Sequence, residues 1–240
     1  MLDRLRELAP RAGILLDFDG SLASIVDHPA DARPFEGARE AIAGLIGRYA
    51  VVAVVTGRRS EEVAELLAVD GLRYEGLYGM QEAAPELTFA LLPSIEAAAA
   101  AVPEAWVEDK RVSVAVHYRG APDPSAARVA LVARLEPVAA GSGFDLVEGK
   151  MVIELVPRDR PMKGGVVERI AEELDLNGIL FAGDDVADLD AFEAMDRLGP
   201  AGVTTVKVAV HGPETPPALE TAADVIVDGP AGLVALLGSL

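Results

Sequence analysis

Short apolar runs alternate with amphipathic segments along the first third of the chain and again along the last third. The runs at 13–16, 51–55 and 179–182 have the length and composition of strands that are buried on both faces. Apolar residues spaced three and four apart over 35–46 and 166–174 predict helices with one buried face. This order of strands and helices is typical of a parallel sheet covered by helices. We therefore predict an α/β fold whose core is a doubly wound, Rossmann-like parallel sheet.

The middle third of the chain has a different pattern. Apolar and polar residues alternate over 112–119, which predicts an antiparallel strand with one exposed face. Two further strands, at 144–147 and 151–156, predict a hairpin. The predicted domains are a core of residues 1–83 and 158–240 and a smaller inserted α/β cap of residues 84–157.

Composition narrows the class of protein. Of the 240 residues, 51% are hydrophobic, which is enough for a sizeable core. A net charge of −18 argues against nucleic acid or anionic membranes as partners, and the absence of cysteine excludes thiolate metal sites and a cysteine nucleophile. Residues 1–10 lack the apolar centre of a signal peptide, and no apolar run is long enough to span a membrane. We expect a soluble cytoplasmic protein and favour a monomer.

Acidic residues follow two of the buried strands directly. Asp17 and Asp19 follow the first strand, and Asp184 and Asp185 follow the strand at 179–182. Ligands of doubly wound sheets bind at the carboxyl ends of the strands, so these acids can converge. Carboxylates so close together repel one another and lose hydration, and Mg²⁺ binds such carboxylates together with a substrate phosphate. The alternative for Asp17 and Asp19 alone is an ordinary strand end whose acids cap a turn.

Groups that can bind phosphate lie at two further element ends. Thr56 and Gly57 follow the strand at 51–55 and offer a hydroxyl and a backbone N–H. Lys163 lies at a predicted helix N-terminus, where the helix dipole and free N–H groups also favour an anion. Each feature has a common structural explanation, a local cap for the threonine and a solvated surface charge for the lysine. A phosphate ligand requires such local positive charge, because the net charge of the chain repels it.

In chain order these ends carry Asp-x-Asp-Gly, Thr-Gly-Arg, a lysine and Gly-Asp-Asp-x-x-Asp. The series resembles the four motifs of the haloacid-dehalogenase-like phosphohydrolases. The resemblance implies that Asp17 attacks phosphorus to form an aspartyl-phosphate, with Asp19 as acid and then base and Lys163 as the third catalytic residue. The implied Mg²⁺ site consists of Asp17, Asp19 through its backbone carbonyl, Asp184 and Asp185. The implied phosphate-binding residues are Ser21, Thr56, Gly57, Arg58 and Lys163, with Asp188 orienting Lys163.

The position of the insertion narrows the resemblance to the trehalose-6-phosphate phosphatase family, and the similarity covers nearly the whole chain. It rests on the segments His28–Ala32, Glu108–Lys110, His117–Arg119 and Gly149–Glu154. The resemblance implies that cap residues bind the sugar hydroxyls and help to hold the phosphate, namely Glu108, Lys110, Arg119, Lys150 and Glu154. In a strand, Lys150 and Glu154 are expected to share one face. The alternative is that these are solvent-facing charges on an ordinary sheet.

Several positions depart from the family pattern. Ala187 and Leu189 stand where threonine and glutamate are usual, the segment Leu77–Gly79 stands where a histidine-glycine pair is usual, and Ser21 replaces a threonine. We predict a Mg²⁺-dependent phosphatase that converts trehalose 6-phosphate to trehalose and phosphate. Because the departures lie near the substrate, sucrose phosphate or a glycosyl-glycerate phosphate is the alternative substrate. A non-catalytic protein that binds a sugar phosphate is the alternative function.

Overall fold

The computed structural model describes residues 1–79, 85–110, 112–158 and 162–240. The chain forms two compact units, a core unit of Met1–Gly79 with Pro161–Leu240 and a cap unit of Met80–Arg160. The first predicted domain boundary, between residues 83 and 84, lies outside the described residues. The second predicted boundary, between residues 157 and 158, falls directly after a strand. The domain limits derived from the sequence therefore stay predictions.

The helices and strands of the described residues are, in chain order, α1 (Leu2–Glu7), β1 (Ala12–Leu16), α2 (Ala38–Leu45), β2 (Val51–Val55), α3 (Ser60–Leu67), β3 (Arg73–Glu75), α4 (Pro85–Ala100), β4 (Trp106–Asp109), β5 (Val114–His117), α5 (Pro124–Ala140), β6 (Phe144–Gly149), β7 (Val152–Pro157), α6 (Lys163–Glu173), β8 (Gly178–Gly183), α7 (Val186–Leu198), β9 (Thr204–His211), α8 (Pro217–Ala222), β10 (Val225–Asp228) and α9 (Gly229–Ser239). Within the described ranges, no helix has the length and apolarity needed to cross a bilayer. The sequence pattern did not predict α1 or β3.

The core unit is built on a parallel sheet, which has six strands in the described part of the chain, in the order β10-β9-β8-β1-β2-β3. Every residue of β1 and β8 is buried because helices cover both faces. Leu16 packs in a cluster with α1, α2, α3 and α9, and Leu15 packs in a second cluster with α6, α7 and α8. The predicted doubly wound core is confirmed. Since β1, β2 and β8 are parallel neighbours, Asp17, Thr56 and Asp184 follow them at the same edge of the sheet.

The cap unit contains an antiparallel sheet, which has four strands among the described residues, in the order β4-β5-β7-β6. One face of this sheet, including Val114 and Val116, packs against α4 and α5. The register pairs Ala115 with Glu108 on one side and Glu154 on the other, so these three residues lie on the opposite face. The mixed α/β character predicted for the insertion is confirmed.

The strand predicted over 112–119 differs from expectation in its exposure. The observed strand, β5, is shorter, and its first three residues are all buried, including Ala115 on the polar face. The longer side chains of Glu108 and Glu154 flank the alanine methyl group from the neighbouring strands. Alternation therefore predicted the antiparallel pairing correctly and the exposure wrongly.

Two further local predictions are wrong. Lys150 does not share a strand face with Glu154, because it lies in the turn between β6 and β7, where Met151 has φ +61°. The helix predicted from residue 35 begins only at α2, since Gly37 precedes it with φ +82°. Phe35 therefore lies outside the helix and is 37% exposed.

Candidate active site

A buried ion cluster lies at the carboxyl edge of the core sheet. Lys163, the first residue of α6, donates from Nζ to Asp17 Oδ1 at 2.7 Å and to Asp188 Oδ1 at 2.5 Å. All three side chains are almost completely buried. Gly164 allows this placement, because a Cβ there would lie 2.5 Å from the carbonyl oxygen of Asp190 in α7. The Gly164 N–H also donates to the Asp190 carboxylate at 2.6 Å, which anchors the N-terminus of α6.

The turns after β1 and β8 meet beside this cluster. Gly20 has φ +90°, and a Cβ on it would collide with the carboxylate of Asp184, so this approach requires glycine. The Ser21 hydroxyl donates to Asp184 Oδ1 at 3.3 Å. The second oxygen of Asp188 accepts the backbone N–H groups of Asp184 and Asp185, both at 2.9 Å. Ser21, predicted to bind phosphate, contacts an acid of the cluster.

Burial and neighbouring charges shift both ionisable partners of the Lys163–Asp17 pair. Burial raises the pKa of the Asp17 carboxyl well above its ordinary value, Lys163 opposes this rise, and Asp188 and Asp184 add to it. Burial alone would lower the pKa of Lys163, but the carboxylates of Asp17 and Asp188 outweigh burial and raise it. The Lys163 ammonium group therefore stays charged at neutral pH. Any further positive charge that joins the cluster would be bound by its carboxylates.

The cluster has the composition of a divalent cation site. Within the described ranges, Asp17, Asp184 and Asp188 each offer a carboxylate oxygen within 4.8 Å of the others. Three carboxylates and one ammonium group leave a formal charge of −2 in a buried environment. Oxygen ligands and this charge fit Mg²⁺. Asp185, predicted as a metal-site residue, lies outside this group, and its carboxylate caps α7 by accepting the Val186 N–H at 2.6 Å.

Asp19 forms an ion pair with Arg58. Arg58 Nε donates to Asp19 Oδ2 at 2.6 Å, and Arg58 Nη2 donates to Asp19 Oδ1 at 2.8 Å. The Arg58 side chain is 8% exposed, donates also to Glu62 and to the Pro29 carbonyl at 2.9 Å, and lies 5.5 Å from the centroid of the Phe18 ring. The sequence analysis assigned Arg58 to phosphate, whereas the structure pairs it with the predicted acid and base.

Two residues in a left-handed backbone conformation hold the loop after β2. They belong to the segment noted in the sequence only as a departure from the family pattern. Leu77 and Tyr78 have φ values of 53° and 57°, and their N–H groups donate to Arg58 O at 2.8 Å and Thr56 O at 3.0 Å. Such conformations cost about 1–3 kcal/mol per residue and occur where the surroundings enforce them. The Thr56 hydroxyl accepts the Arg58 N–H at 3.1 Å, which leaves its own proton to donate. Gly57 must be small, because a Cβ there would lie 2.8 Å from Tyr78 Oη.

The polar face of the cap sheet carries a second lysine-carboxylate pair. Lys110 Nζ lies 3.3 Å from Glu154 Oε2, and the Ser113 hydroxyl donates to Glu154 Oε1 at 2.6 Å. Arg119 donates from Nη2 to the Lys150 carbonyl at 3.0 Å, which ties the end of β5 to the hairpin turn. The structure thus brings Lys110 and Glu154 together and places Arg119 beside Lys150.

Glu108 pairs with a histidine on the same face of the cap sheet. His117 Nε2 lies 2.8 Å from Glu108 Oε2, and the His117 ring stacks on Trp106 with centroids 4.1 Å apart. The sequence analysis did not propose Trp106, Ser113 or His117 as site residues. The alternating pattern was a usable signal, because it places Ser113 and His117 on the same face of the sheet.

A parallel sheet with buried acids at its carboxyl edge and an inserted α/β unit is the architecture of a haloacid-dehalogenase-like hydrolase. A haloacid dehalogenase-like hydrolase from Bacteroides thetaiotaomicron superposes with a TM-score of 0.67 at 13% identity, covering 95% of this chain and 98% of that one. The C-terminal domain of the C. albicans trehalose-6-phosphate phosphatase superposes with a TM-score of 0.81 at 20% identity, covering 98% and 93%. At these identities the likeness shows the fold.

The sequence comparisons identify the family. The Trehalose-phosphatase family model matches residues 15–89 and 91–225. The trehalose-phosphate phosphatase of Mycobacterium ulcerans (strain Agy99) is 35% identical over 215 residues, covering 81% of this chain and 53% of that protein. This chain belongs to the trehalose-phosphatase family, and the resemblance drawn from its motifs is confirmed. The chain spans about half the length of the curated trehalose-phosphate phosphatases that it matches.

Proposed function

We propose that this chain is a Mg²⁺-dependent phosphoric monoester hydrolase that converts trehalose 6-phosphate to trehalose and phosphate. The observation that carries the proposal is the buried cluster of Asp17, Lys163, Asp184 and Asp188 in a chain of the trehalose-phosphatase family. Such a cluster combines a carboxylate nucleophile, a fixed positive charge and a divalent cation site, which are the parts that phosphoryl transfer requires.

The role of Asp188 follows from the bonds that it already makes. Both oxygens of Asp188 are engaged, one by Lys163 and the other by two backbone N–H groups, so we assign Asp188 to orienting the lysine. We assign Asp17, Asp184 and the backbone carbonyl of Asp19 to Mg²⁺. When bound, Mg²⁺ would supply positive charge that offsets the repulsion of the carboxylate nucleophile and the phosphate.

The chain's own residues carry the two half-reactions. A carboxylate oxygen of Asp17 attacks phosphorus, the bond from phosphorus to the sugar oxygen breaks, and an aspartyl-phosphate remains. Asp19 passes a proton to the departing sugar oxygen and later takes a proton from the water that hydrolyses the intermediate. The Lys163 ammonium, the Thr56 hydroxyl and the Gly57 N–H are placed to bind the phosphate oxygens as charge shifts during transfer.

The polar face of the cap sheet supports recognition of a sugar. We assign the sugar hydroxyls and part of the phosphate to the cap residues Glu108, Lys110, Arg119, Lys150 and Glu154. Charged donors and acceptors suit this task, because a buried hydroxyl without a partner costs about 1–3 kcal/mol. Lys150 would take part from the hairpin turn and not from a strand. A monomeric cytoplasmic protein stays our prediction, and its support is the net charge of −18, which favours solubility.

Phosphate release tests the proposal directly. Purified protein is given Mg²⁺ and trehalose 6-phosphate, sucrose 6-phosphate, glucose 6-phosphate or mannose 6-phosphate, with and without a chelator. We expect turnover that prefers trehalose 6-phosphate, stops with the chelator and falls at least about 10⁴-fold in Asp17→Asn. Preference for another sugar phosphate would retain the chemistry, replace the substrate and point to Ala187 and Leu189 in the first turn of α7. No turnover on any substrate, with trehalose 6-phosphate binding unchanged in Asp17→Asn, would establish a binder.

A further inference from the structure

Arg58 is the centre of a network that joins three parts of the core unit. Its guanidinium contacts the carboxylate of Asp19 after β1, the Pro29 carbonyl and the carboxylate of Glu62 in the first turn of α3. Its backbone is also held at both ends, because its N–H donates to the Thr56 hydroxyl and its carbonyl accepts the Leu77 N–H. These side-chain and backbone contacts together fix the position of the guanidinium.

The donors of Arg58 are committed to these protein acceptors. A guanidinium has five N–H groups, and the two bonds to Asp19 and those to Pro29 and Glu62 use four of them. Burial opposes the charge on Arg58, but the carboxylates of Asp19 and Glu62 outweigh burial and raise the pKa of Arg58. One N–H on Nη2 is outside these four bonds, so a phosphate held by two parallel bonds would have to displace one of these acceptors. This argues against the role in phosphate binding that the sequence suggested.

The ion pair with Arg58 orients the side chain of Asp19, which packing against neighbouring residues would not do by itself. Its side chain is 40% exposed, whereas that of Arg58 is 8% exposed. An exposed aspartate samples several rotamers, but the two parallel bonds from Arg58 Nε and Nη2 set both the position and the plane of its carboxylate. Proton transfer requires such a fixed direction.

We propose that Arg58 is the positioning residue for Asp19, with Glu62 and the Pro29 carbonyl holding the guanidinium in place. The inference rests on the proposed function, because it takes Asp19 as the acid and base. Arg58 does not contact the reacting atoms. It sets the direction in which the Asp19 carboxyl gives a proton to the departing sugar oxygen and takes one from water, so both half-reactions depend on it.

Two substrates separate this role from phosphate binding. The sugar oxygen of trehalose 6-phosphate needs a proton to leave, whereas p-nitrophenolate leaves from p-nitrophenyl phosphate without one. In Arg58→Met we expect kcat for trehalose 6-phosphate to fall about 10²–10³-fold with KM changed less than about threefold. We expect p-nitrophenyl phosphate to give a rapid burst of p-nitrophenolate followed by slow turnover, because hydrolysis of the intermediate still needs the base. A raised KM for both substrates and no burst would overturn the proposal.

A double-mutant cycle gives an independent readout. If Arg58 acts only through Asp19, adding Arg58→Met to Asp19→Asn changes the residual turnover by less than about twofold. Additive losses would overturn the proposal. Arg58→Lys keeps the charge without the two parallel bonds, and we expect it to lose about tenfold in kcat and to stay folded if Arg58→Met does not. Full activity in Arg58→Lys would also overturn it.

Controls separate a failure of the proposed function from a failure of the role proposed for Arg58. Arg59 is the exposed neighbour of Arg58, so Arg59→Met matches the change in charge and length and should retain wild-type kinetics. Wild-type protein without turnover on any substrate would overturn both the proposed function and the role of Arg58. Wild-type turnover that survives in Arg58→Met would overturn the role of Arg58 alone.

Discussion

The core unit and the cap unit each hold a lysine against carboxylates, and the two arrangements differ in charge balance. Lys163 in the core has a side chain that is 4% exposed and contacts two carboxylates at 2.7 and 2.5 Å, with a third acid beside them. Lys110 in the cap has a side chain that is 12% exposed, and its Nζ lies 3.3 Å from the carboxylate of Glu154. The three carboxylates and one ammonium group of the core cluster sum to a formal charge of −2, whereas the charges of Lys110 and Glu154 offset each other.

This difference indicates a division of labour. Buried negative charge in excess is unfavourable unless a cation joins it, so the core cluster is suited to a metal and to a substrate that carries charge. Lys110 and Glu154 offset each other's charge, and their donors and acceptors can satisfy uncharged hydroxyls. We therefore expect changes in the core to affect kcat and metal binding, and changes in the cap to affect the KM of the sugar.

The largest effect is expected from the two lysines themselves. Lys163→Met leaves the core carboxylates without their ammonium group, so we expect turnover to fall at least about 10³-fold and the metal-free free energy of unfolding to fall by about 3 kcal/mol. Lys110→Met should raise KM about tenfold with kcat nearly unchanged. Steady-state kinetics and chemical denaturation measure both. Equal losses of kcat in the two variants would break the comparison.

The acids after β8 test the metal site. We expect Mg²⁺ to raise the unfolding temperature of the wild-type protein, with a stabilisation of about 2.7 kcal/mol at a hundred times its Kd. Asp184→Asn should abolish this shift, because it removes a carboxylate of the cluster. Asp185→Asn is the matched control and should keep the shift, since asparagine also caps a helix. A shift lost in Asp185→Asn and kept in Asp184→Asn would reverse the assignment.

The effect of Mg²⁺ should also depend on pH. The pKa of Asp17 is raised, chiefly by burial. The protonated Asp17 carboxyl therefore contributes its full share of stability below the unfolded pKa of about 3.9, and this share is lost as pH rises towards the folded pKa. Mg²⁺ binds the ionised carboxylate, so its stabilising effect should grow over the same range by up to about 1.4 kcal/mol per pH unit. Unfolding temperatures with and without Mg²⁺ measure this growth. Asp17→Asn should flatten the dependence, and a pH-independent effect in the wild-type protein would contradict the prediction.

The core site was the more predictable of the two regions. Strands buried on both faces appear in the sequence as continuous apolar runs, and parallel topology then brings Asp17, Thr56 and Asp184 to one edge. The roles of Asp185 and Asp188 could not be separated in this way. They depend on where α7 begins, because the N-cap position directs Asp185 to the helix N–H groups while Asp188, three residues later, reaches back to Lys163.

Features that depend on distant partners were beyond the sequence. Arg58 pairs with a residue 39 positions away, and nothing in the Thr-Gly-Arg segment indicates that its partner is Asp19 and not phosphate. The strand β3 has only three residues and exists through its pairing with β2, not through its own propensity. In the cap, the alternating pattern predicted the faces correctly, but the position of Lys150 depended on where the hairpin turns.

The smallest effects are expected from two serines that make the same kind of bond in the two regions. Ser113 donates to Glu154 at 2.6 Å in the cap, and Ser21 donates to Asp184 at 3.3 Å in the core. A hydrogen bond to a buried carboxylate contributes about 1.5–3 kcal/mol, and the longer bond of Ser21 less, so Ser113→Ala should destabilise the protein by about 1.5 kcal/mol and Ser21→Ala by less. Ser113→Ala should raise the sugar KM a few-fold at unchanged Mg²⁺ affinity.

Ser21→Ala should affect the other constant, the Mg²⁺ affinity, because its partner Asp184 is an acid of the proposed metal site. We expect a few-fold weaker Mg²⁺ midpoint with an unchanged sugar KM at saturating metal, since groups that orient metal ligands tune affinity for the ion. Metal titrations of activity and KM measurements at saturating Mg²⁺ separate the two constants. If both serines changed the same constant, the division of roles drawn from the charges of the two lysine groups would be wrong.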